Sequence, residues 1–387
     1  MDAAPAAEWW RIATGSSRAG GRGLLSRRAL RSWLAESGAA AMVESGDGDV
    51  RPASFAWLHR WPPRRGSALA VPAPRPGHAN LRAMLLAAMI LGAAIRALAA
   101  DSPIVDARWL DARRAAGSLV VAEVSWAPAA KANEYNAAHI PGAIHINTDV
   151  FENGSPRWHL RPVAELHAAL GELGITANDT VVVYSHQSTA AARVWWVMEY
   201  AGVKDIRYLN GGLASWRRVG LPVEATPTVL ARTRFHATPR VEVLADTRYV
   251  QQLRDGILVD VRSRREFTGE VSGYSYIDAK GRIPGARAAG NASDSARLYQ
   301  NADGSLRDLD EIREMWRAAG VLDGRELVFY CGGGWRSSLA FLYARAMGLR
   351  ARNYSDGWSA WSTIYEPVGQ EWRQRPSANP VARDRWE

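Results

Sequence analysis

One cysteine occurs in 387 residues, Cys331, and its surroundings are those of a reactive sulfur. Leu327-Val328-Phe329-Tyr330 leads into Cys331-Gly332-Gly333-Gly334-Trp335-Arg336, and Ser337-Ser338-Leu339-Ala340-Phe341-Leu342 follows. An apolar, β-prone run enters a glycine-rich loop, and an amphipathic helical pattern leaves it. Such a strand–loop–helix aims backbone N–H groups and a helix N-terminus at whatever fills the loop. A thiol at its mouth ionises more readily, and the thiolate is the nucleophile. The competing reading is a small buried apolar cysteine. Three glycines and an arginine behind the sulfur serve no purpose in that reading.

The elements that must position this loop occur twice. Ala138-His139-Ile140-Pro141-Gly142-Ala143 is matched by Gly281-Arg282-Ile283-Pro284-Gly285-Ala286. Val181-Val182-Val183-Tyr184-Ser185 is matched by Leu327–Cys331, and Leu209-Asn210-Gly211-Gly212 with Trp216 by Tyr354-Ser355-Asp356-Gly357 with Trp361. The offsets are 143 at Pro-Gly, 146 at Ser185/Cys331 and 145 at Gly212/Gly357, so the chain is an internal repeat. In the first copy, residues 119–124 and 180–184 read as strands and 162–173 and 190–201 as helices. In the second, 256–261 and 326–330 read as strands and 309–319 and 337–347 as helices. This alternation predicts an α/β fold of two domains, each a mostly parallel sheet flanked by helices. Ser185 stands where the second copy has Cys331, and His186-Gln187 replaces the glycines. A serine hydroxyl without an adjacent base is a poor nucleophile, and His186 reads as a solvated loop residue rather than that base.

Hydrophobic content of 47% and charged content of 22% are globular values. A single cysteine excludes an intramolecular disulfide and a cysteine metal cluster. The net charge of +9 is uneven. Residues 1–83 hold 12 arginines against 6 acidic residues, and the remainder carries a net of only +3. The body is therefore weakly basic, which suits a small anionic substrate and argues against nucleic acid. No cofactor, metal site or nucleotide loop is expected.

Residues 1–80 are rich in Ala, Arg, Gly, Pro and Trp without a sustained period and read as disordered, or as an extension from a start assigned too far upstream. Arg82, the apolar run Met84–Ile95 and Ala97-Leu98-Ala99 then resemble a secretory signal with its cleavage site. That apolar run is shorter than the ~20 residues that span a bilayer. An ordinary amphipathic helix is the alternative. A signal over 81–99 implies export, for example to the periplasm, with no stable membrane insertion after processing. The alternative location is the cytoplasm.

Taken together, His139–Ala143, Arg193-Val194-Trp195-Trp196, Leu209–Gly212 with Trp216, Asp260-Val261-Arg262, Arg265-Glu266-Phe267 with Gly269, Arg282–Ala286 and Cys331–Arg336 resemble the tandem-domain rhodanese family of thiosulfate and 3-mercaptopyruvate sulfurtransferases. The resemblance runs from about Val105 to about Ser362. It implies a catalytically silent domain over 101–225 and a catalytic domain over 240–370; residues 226–239, with prolines at 227 and 239, read as the linker, 371–387 as a polar surface tail, and the tandem repeat, which supplies its own pseudo-dimer, as a monomer. It further implies that Cys331 takes sulfur from a small anionic donor as a persulfide and passes it to cyanide or a thiol. Gly332, Gly333, Gly334, Trp335 and Arg336 would form the substrate loop, with Arg336 on the departing anion and Arg262 near the donor. Asp260 and Glu266 read as structural partners of these arginines. His139 lies either near the domain cleft or in a backbone-bonded turn, and one of Trp195 and Trp196 should fill the interface between the halves. The mercaptopyruvate enzymes carry a serine two residues after the cysteine, where this chain has Gly333, so thiosulfate is the expected donor and 3-mercaptopyruvate the alternative. A non-enzymatic sulfur carrier and a cysteine phosphatase remain as rivals. The phosphatase loop places five residues between Cys and Arg, against four here.

Overall fold

Runs of valine and isoleucine bounded by turn residues form two parallel sheets in the computed structural model, which describes residues 42–44, 50–52, 102–115, 119–154, 159–292, 295–368 and 371–374. The chain divides into two compact units, Met1–Asn80 and Leu81–Glu387. In the first, Met42–Glu44 pairs antiparallel with Val50–Pro52. The signal-like segment 81–99 lies outside the described residues. Among the described residues no helix is long and apolar enough to cross a membrane.

The second unit holds the repeat. Its first half runs β1 (Ile104–Val105), α1 (Ala107–Ala115), β2 (Leu119–Ser125), α2 (Asn133–Ala137), β3 (Ile144–Asn147), α3 (Val163–Glu172), β4 (Thr180–Tyr184), α4 (Ser188–Ala201), β5 (Asp205–Leu209) and α5 (Gly212–Arg218). Its second runs β6 (Leu244–Ala245), α6 (Thr247–Gln252), β7 (Gly256–Asp260), α7 (Arg264–Thr268), β8 (Arg287–Ala288), α8 (Leu309–Ala318), β9 (Glu326–Tyr330), α9 (Trp335–Ala346), β10 (Ala351–Tyr354) and α10 (Gly357–Ile364). The sheet orders are β1-β5-β4-β2-β3 and β6-β10-β9-β7-β8, one topology used twice, with every pairing parallel. Val181–Val183 and Leu327–Phe329 are buried throughout, as central strands covered on both faces must be.

Helices α4 and α9 pack on each other across the two halves, with Trp195 of α4 and Phe341 of α9 6.2 Å apart between ring centroids. Both adjacent tryptophans are buried, and Trp196 donates its indole N–H to the Val243 carbonyl at 3.3 Å. The 226–239 connection lies against glycines of the first half. A Cβ at Gly171 or Gly202 would stand 2.6 Å from the carbonyl of Thr233 or Thr238. Residues 371–374, expected as part of a polar tail, instead pair antiparallel with 365–368.

Candidate active site

β9 delivers Cys331 to the point where the chain leaves the sheet. Gly334 then caps α9 with φ +88°, a left-handed value that costs glycine little. The helix begins at Trp335 rather than at the expected Ser337, so its first turn lies directly over the sulfur. Ser337 Oγ donates to Cys331 Sγ at 3.6 Å, and the backbone N–H groups of Gly333 and Ser337 also point at the sulfur. Burial alone would raise the thiol pKa. The Arg336 charge and these donors outweigh it and hold Cys331 below the ordinary thiol range. Behind the loop, the N–H groups of Trp358 and Ser359 in α10 hold the carbonyls of Cys331 and Gly332 at 2.8 and 2.9 Å.

Cys331 opens into a cavity of about 490 Å³. Gly333, Trp335 and Arg336 line it beside the cysteine, and Trp126, Gln187 and Thr189 reach in from the first half. Tyr274, Tyr276 and Tyr299 make much of the remaining wall aromatic. Trp126 meets Trp335 edge-on, with centroids 6.3 Å apart. The Tyr276 hydroxyl lies 3.6 Å from where a Cβ at Gly333 would stand.

The structure brings Cys331, Gly333, Trp335 and Arg336 together and deals differently with three other expected residues. The Gly332 N–H donates to the Tyr274 hydroxyl at 2.5 Å rather than to the sulfur. Gly334 shapes the helix start without lining the cavity. Arg262, expected near the donor, is absent from the cavity lining. It is fully buried, its Nε and Nη2 on Asp260 at 2.9 and 2.6 Å and Nη2 also on the Gly281 carbonyl at 2.7 Å. Its guanidinium lies 5.0 Å over the Trp358 ring. The i, i+2 spacing puts Asp260 and Arg262 on one face of an extended chain, so the nearest carboxylate claims the arginine.

Arg336 is itself part of an ion pair. Nη1 and Nη2 contact Glu266 at 3.0 and 2.8 Å, Nη1 contacts Ser295 Oγ at 2.5 Å, and Nη2 also donates to the Tyr274 hydroxyl. Burial works to raise the Glu266 pKa, but Arg336 and Ser263 hold it below the usual carboxylate range. The arginine therefore keeps its charge beside the sulfur while much of its fork is engaged. Tyr274, Ser337, Ser295, Trp126 and Glu152 belong to this site although no local pattern around the cysteine named them. Ser337 alone had a signal, a hydroxyl in the first turn of the helix.

His139 is buried away from the cavity lining, stacked on Tyr135 with its Nδ1 2.7 Å from the Tyr135 carbonyl. His186 sits on the surface beside Glu134, 3.1 Å away. Among the described residues no group of side chains is arranged to hold a metal ion.

Two copies of one five-stranded parallel unit, only one with a thiol in its loop, define a tandem α/β protein with a single equipped site. The chain belongs to the rhodanese-like family, and the model for the rhodanese-like domain matches residues 104–218 and 246–364. It is 41% identical over 259 residues to thiosulfate sulfurtransferase YnjE of Escherichia coli K12, covering 64% of this chain and 58% of that protein. The crystal structure of YnjE superposes with a TM-score of 0.64 at 38% identity, covering 70% of this chain and 69% of the other. The 3-mercaptopyruvate sulfurtransferase of the same organism is 27% identical over 237 residues, 59% of this chain and 82% of that one. The anaerobic ergothioneine biosynthesis enzyme of Chlorobium limicola, solved with its natural substrate trimethyl histidine, superposes with a TM-score of 0.62 at 34% identity, over 67% and 68% of the two chains. The chain thus spans less than two thirds of the length of YnjE.

Proposed function

We propose that this chain is a sulfurtransferase that moves sulfane sulfur from thiosulfate to cyanide or a thiol through a persulfide on Cys331. The observation that carries the reading is the Cys331 thiol, held below its ordinary pKa at the edge of an accessible cavity beside Arg336. The thiolate attacks the outer sulfur of thiosulfate. The S–S bond of the donor breaks, and sulfite leaves with the electron pair. The acceptor then attacks the terminal sulfur of the persulfide, and the Cys331 thiolate departs ready for another cycle. The loop N–H groups and Ser337 hydroxyl stabilise the negative sulfur at both stages. With Arg262 engaged elsewhere, the choice of thiosulfate over 3-mercaptopyruvate rests on Arg336, on Gly333 and on the likeness to YnjE.

Incubation with thiosulfate should add one sulfur atom to the intact mass, and cyanide should remove it as thiocyanate. A protein that gains no sulfur would refute the reading. Faster turnover of 3-mercaptopyruvate than of thiosulfate would reverse the donor and keep the sulfur chemistry.

A second reading keeps the persulfide and changes the acceptor. The aromatic wall of Trp126, Tyr274, Tyr276, Tyr299 and Trp335 suits a ring or an ammonium group better than cyanide. The Chlorobium limicola relative is solved with trimethyl histidine. Sulfur transfer to that compound, followed by mass spectrometry, tests this reading, and no product would remove it. We infer separately from the sequence that residues 81–99 direct export. N-terminal sequencing of protein from the native host should find a start near Ala100, and a cytoplasmic pool retaining 81–99 would overturn export.

A further inference from the structure

We infer that Glu152 and Arg193, both in the half without the cysteine, are positioning residues for the cysteine loop of the other half. Each side chain is only 1% exposed. Arg193 Nε donates to Glu152 Oε1 at 2.7 Å, and the Trp335 indole N–H reaches the two Glu152 oxygens at 2.9 and 3.2 Å. Arg193 Nη1 donates to Ser355 Oγ at 3.0 Å and lies 2.6 Å from where a Cβ at Gly334 would stand. The grip extends to the turn behind the loop, where His159 Nδ1 is 3.0 Å from Asp356 Oδ1. Residues 355–356 lead into α10, whose first N–H groups hold the Cys331 and Gly332 carbonyls. The first half thus fixes the loop at Gly334 and Trp335 and fixes its support at Ser355 and Asp356.

Stability is a weak reason for such a pair, since a well-packed apolar replacement of a buried ion pair is often no less stable. The repeat supplies a better one. At 146 residues beyond Arg193, the offset that relates Ser185 to Cys331, the chain has Leu339, which lines the cavity. The ion pair is therefore not reproduced by the repeat in the opposite direction, toward the Ser185 loop. It serves the loop that holds the sulfur. The loop geometry stands by itself, and its consequence for turnover rests on the sulfur-transfer reading.

The test is the pH dependence of Cys331 alkylation by iodoacetamide in Glu152→Ala, Glu152→Gln and Trp335→Phe, alongside thiosulfate kinetics. Removing a nearby negative charge would by itself lower the alkylation midpoint. Losing the brace withdraws Gly333, Ser337 and Arg336 from the sulfur and raises it, so the sign separates the two effects. Glu152→Ala should raise the midpoint and lower kcat about 10- to 100-fold with KM little changed. Glu152→Gln keeps an oxygen acceptor for Trp335 and should recover most of kcat without a raised midpoint. A midpoint in folded Glu152→Ala that stays or falls would overturn the inference, as would a Gln variant impaired like the Ala one. If Glu152→Ala does not fold, Trp335→Phe, which removes the indole donor and trims the contact with Trp126, is read beside Trp126→Phe, which trims that contact and keeps the donor: a midpoint raised in Trp335→Phe alone supports the brace, and one unmoved or raised equally in both overturns it. If the unmodified protein takes no sulfur from thiosulfate, the function fails while the alkylation midpoints still judge the brace.

Discussion

The two halves share a frame and differ in what the frame holds. In both, the tyrosine before the loop accepts a backbone N–H from the Pro-Gly turn, Ile140 to Tyr184 at 3.1 Å and Ile283 to Tyr330 at 3.2 Å. In both, a glycine at φ near +50° lets the next turn close on the loop carbonyl, Gly212 over Ser185 and Gly357 over Cys331. The carboxylates opposite those tyrosines diverge. Asp260 is registered with Tyr330 and carries Arg262, whereas Glu123 is registered with Tyr184 and lies 4.0 Å from His145. The Ser185 loop also lacks a cation where the other half has Arg336, since Ala190 stands there. The half without the thiol thus also lacks the cation beside its loop, while the strand register and the glycine-led turn behind the loop are common to both.

Cys331→Ser tests the largest difference. It should abolish sulfur uptake from thiosulfate by intact mass and leave the circular dichroism unchanged, because serine differs from cysteine by one atom and occupies the matching strand end in the other half. Residual sulfur uptake would mean that the chemistry lies elsewhere.

The two carboxylates should respond to neutralisation with opposite signs. Asp260→Asn breaks a buried pair and strands Arg262, a loss of about 3–5 kcal/mol in denaturant unfolding. Glu123 has no such partner: burial first, and the charge of Glu134 second, push its pKa from 4.5 to about 7. A carboxylate whose pKa is higher folded than unfolded destabilises the native state progressively as pH rises from about 4.5 to about 7, and fully above that. Glu123→Gln should therefore stabilise at pH 8, by up to about 3 kcal/mol, and gain little near pH 4.5. Stabilities of both variants measured across that range check the signs, and a loss in Glu123→Gln at pH 8 would break the contrast.

The repeat, the parallel α/β class and the cysteine loop were legible because each is a local pattern recurring at a fixed offset. The Ser263/Glu266 capping box places Glu266 where Arg336 can reach it. Arg262, expected near the donor, lies outside the cavity lining, and the Asp260 partner expected two residues earlier on an extended chain holds it there. Tyr274 could not be found, because it comes from an irregular stretch after α7 with no period to read. Glu152 and Arg193 were hidden for a different reason. Their role appears only when the halves dock, and sequence offers no pattern linking Glu152 to Trp335 across so many residues.

Arg336→Ala probes the charge that the first half lacks. Loss of a charge-assisted contact of about 1.5–3 kcal/mol corresponds to about a 10- to 150-fold fall in kcat/KM for thiosulfate. The Cys331 alkylation midpoint should rise as well, because the variant also leaves Glu266 unpaired near the thiol. Arg336→Lys should restore charge without the fork that holds Glu266 and Ser295, and so recover only part of the rate. Equal rates for the Lys variant and the unmodified protein would show that the ion-pair geometry is dispensable.

The smallest expected effect is the most direct test of the comparison. Ser185→Cys in the Cys331→Ser background puts a thiol into the silent loop, which leaves the matching strand but starts its helix from Gln187 at φ −104° rather than from a glycine at φ +88°. Ala190 gives that thiol no neighbouring guanidinium, and Ser185 Oγ now accepts a single N–H, from Gln187 at 3.0 Å. Glu123 lies one strand away, opposite Tyr184, and its negative charge above pH 7 opposes a thiolate. The grafted cysteine should alkylate with an ordinary or raised midpoint and take up no sulfur from thiosulfate. Sulfur uptake by this double variant would mean that the shared frame is sufficient and that the charges of the second half merely improve it. No uptake, together with a midpoint above that of Cys331, places the difference between the halves in the loop and the side chains around the sulfur rather than in the sheet that carries it.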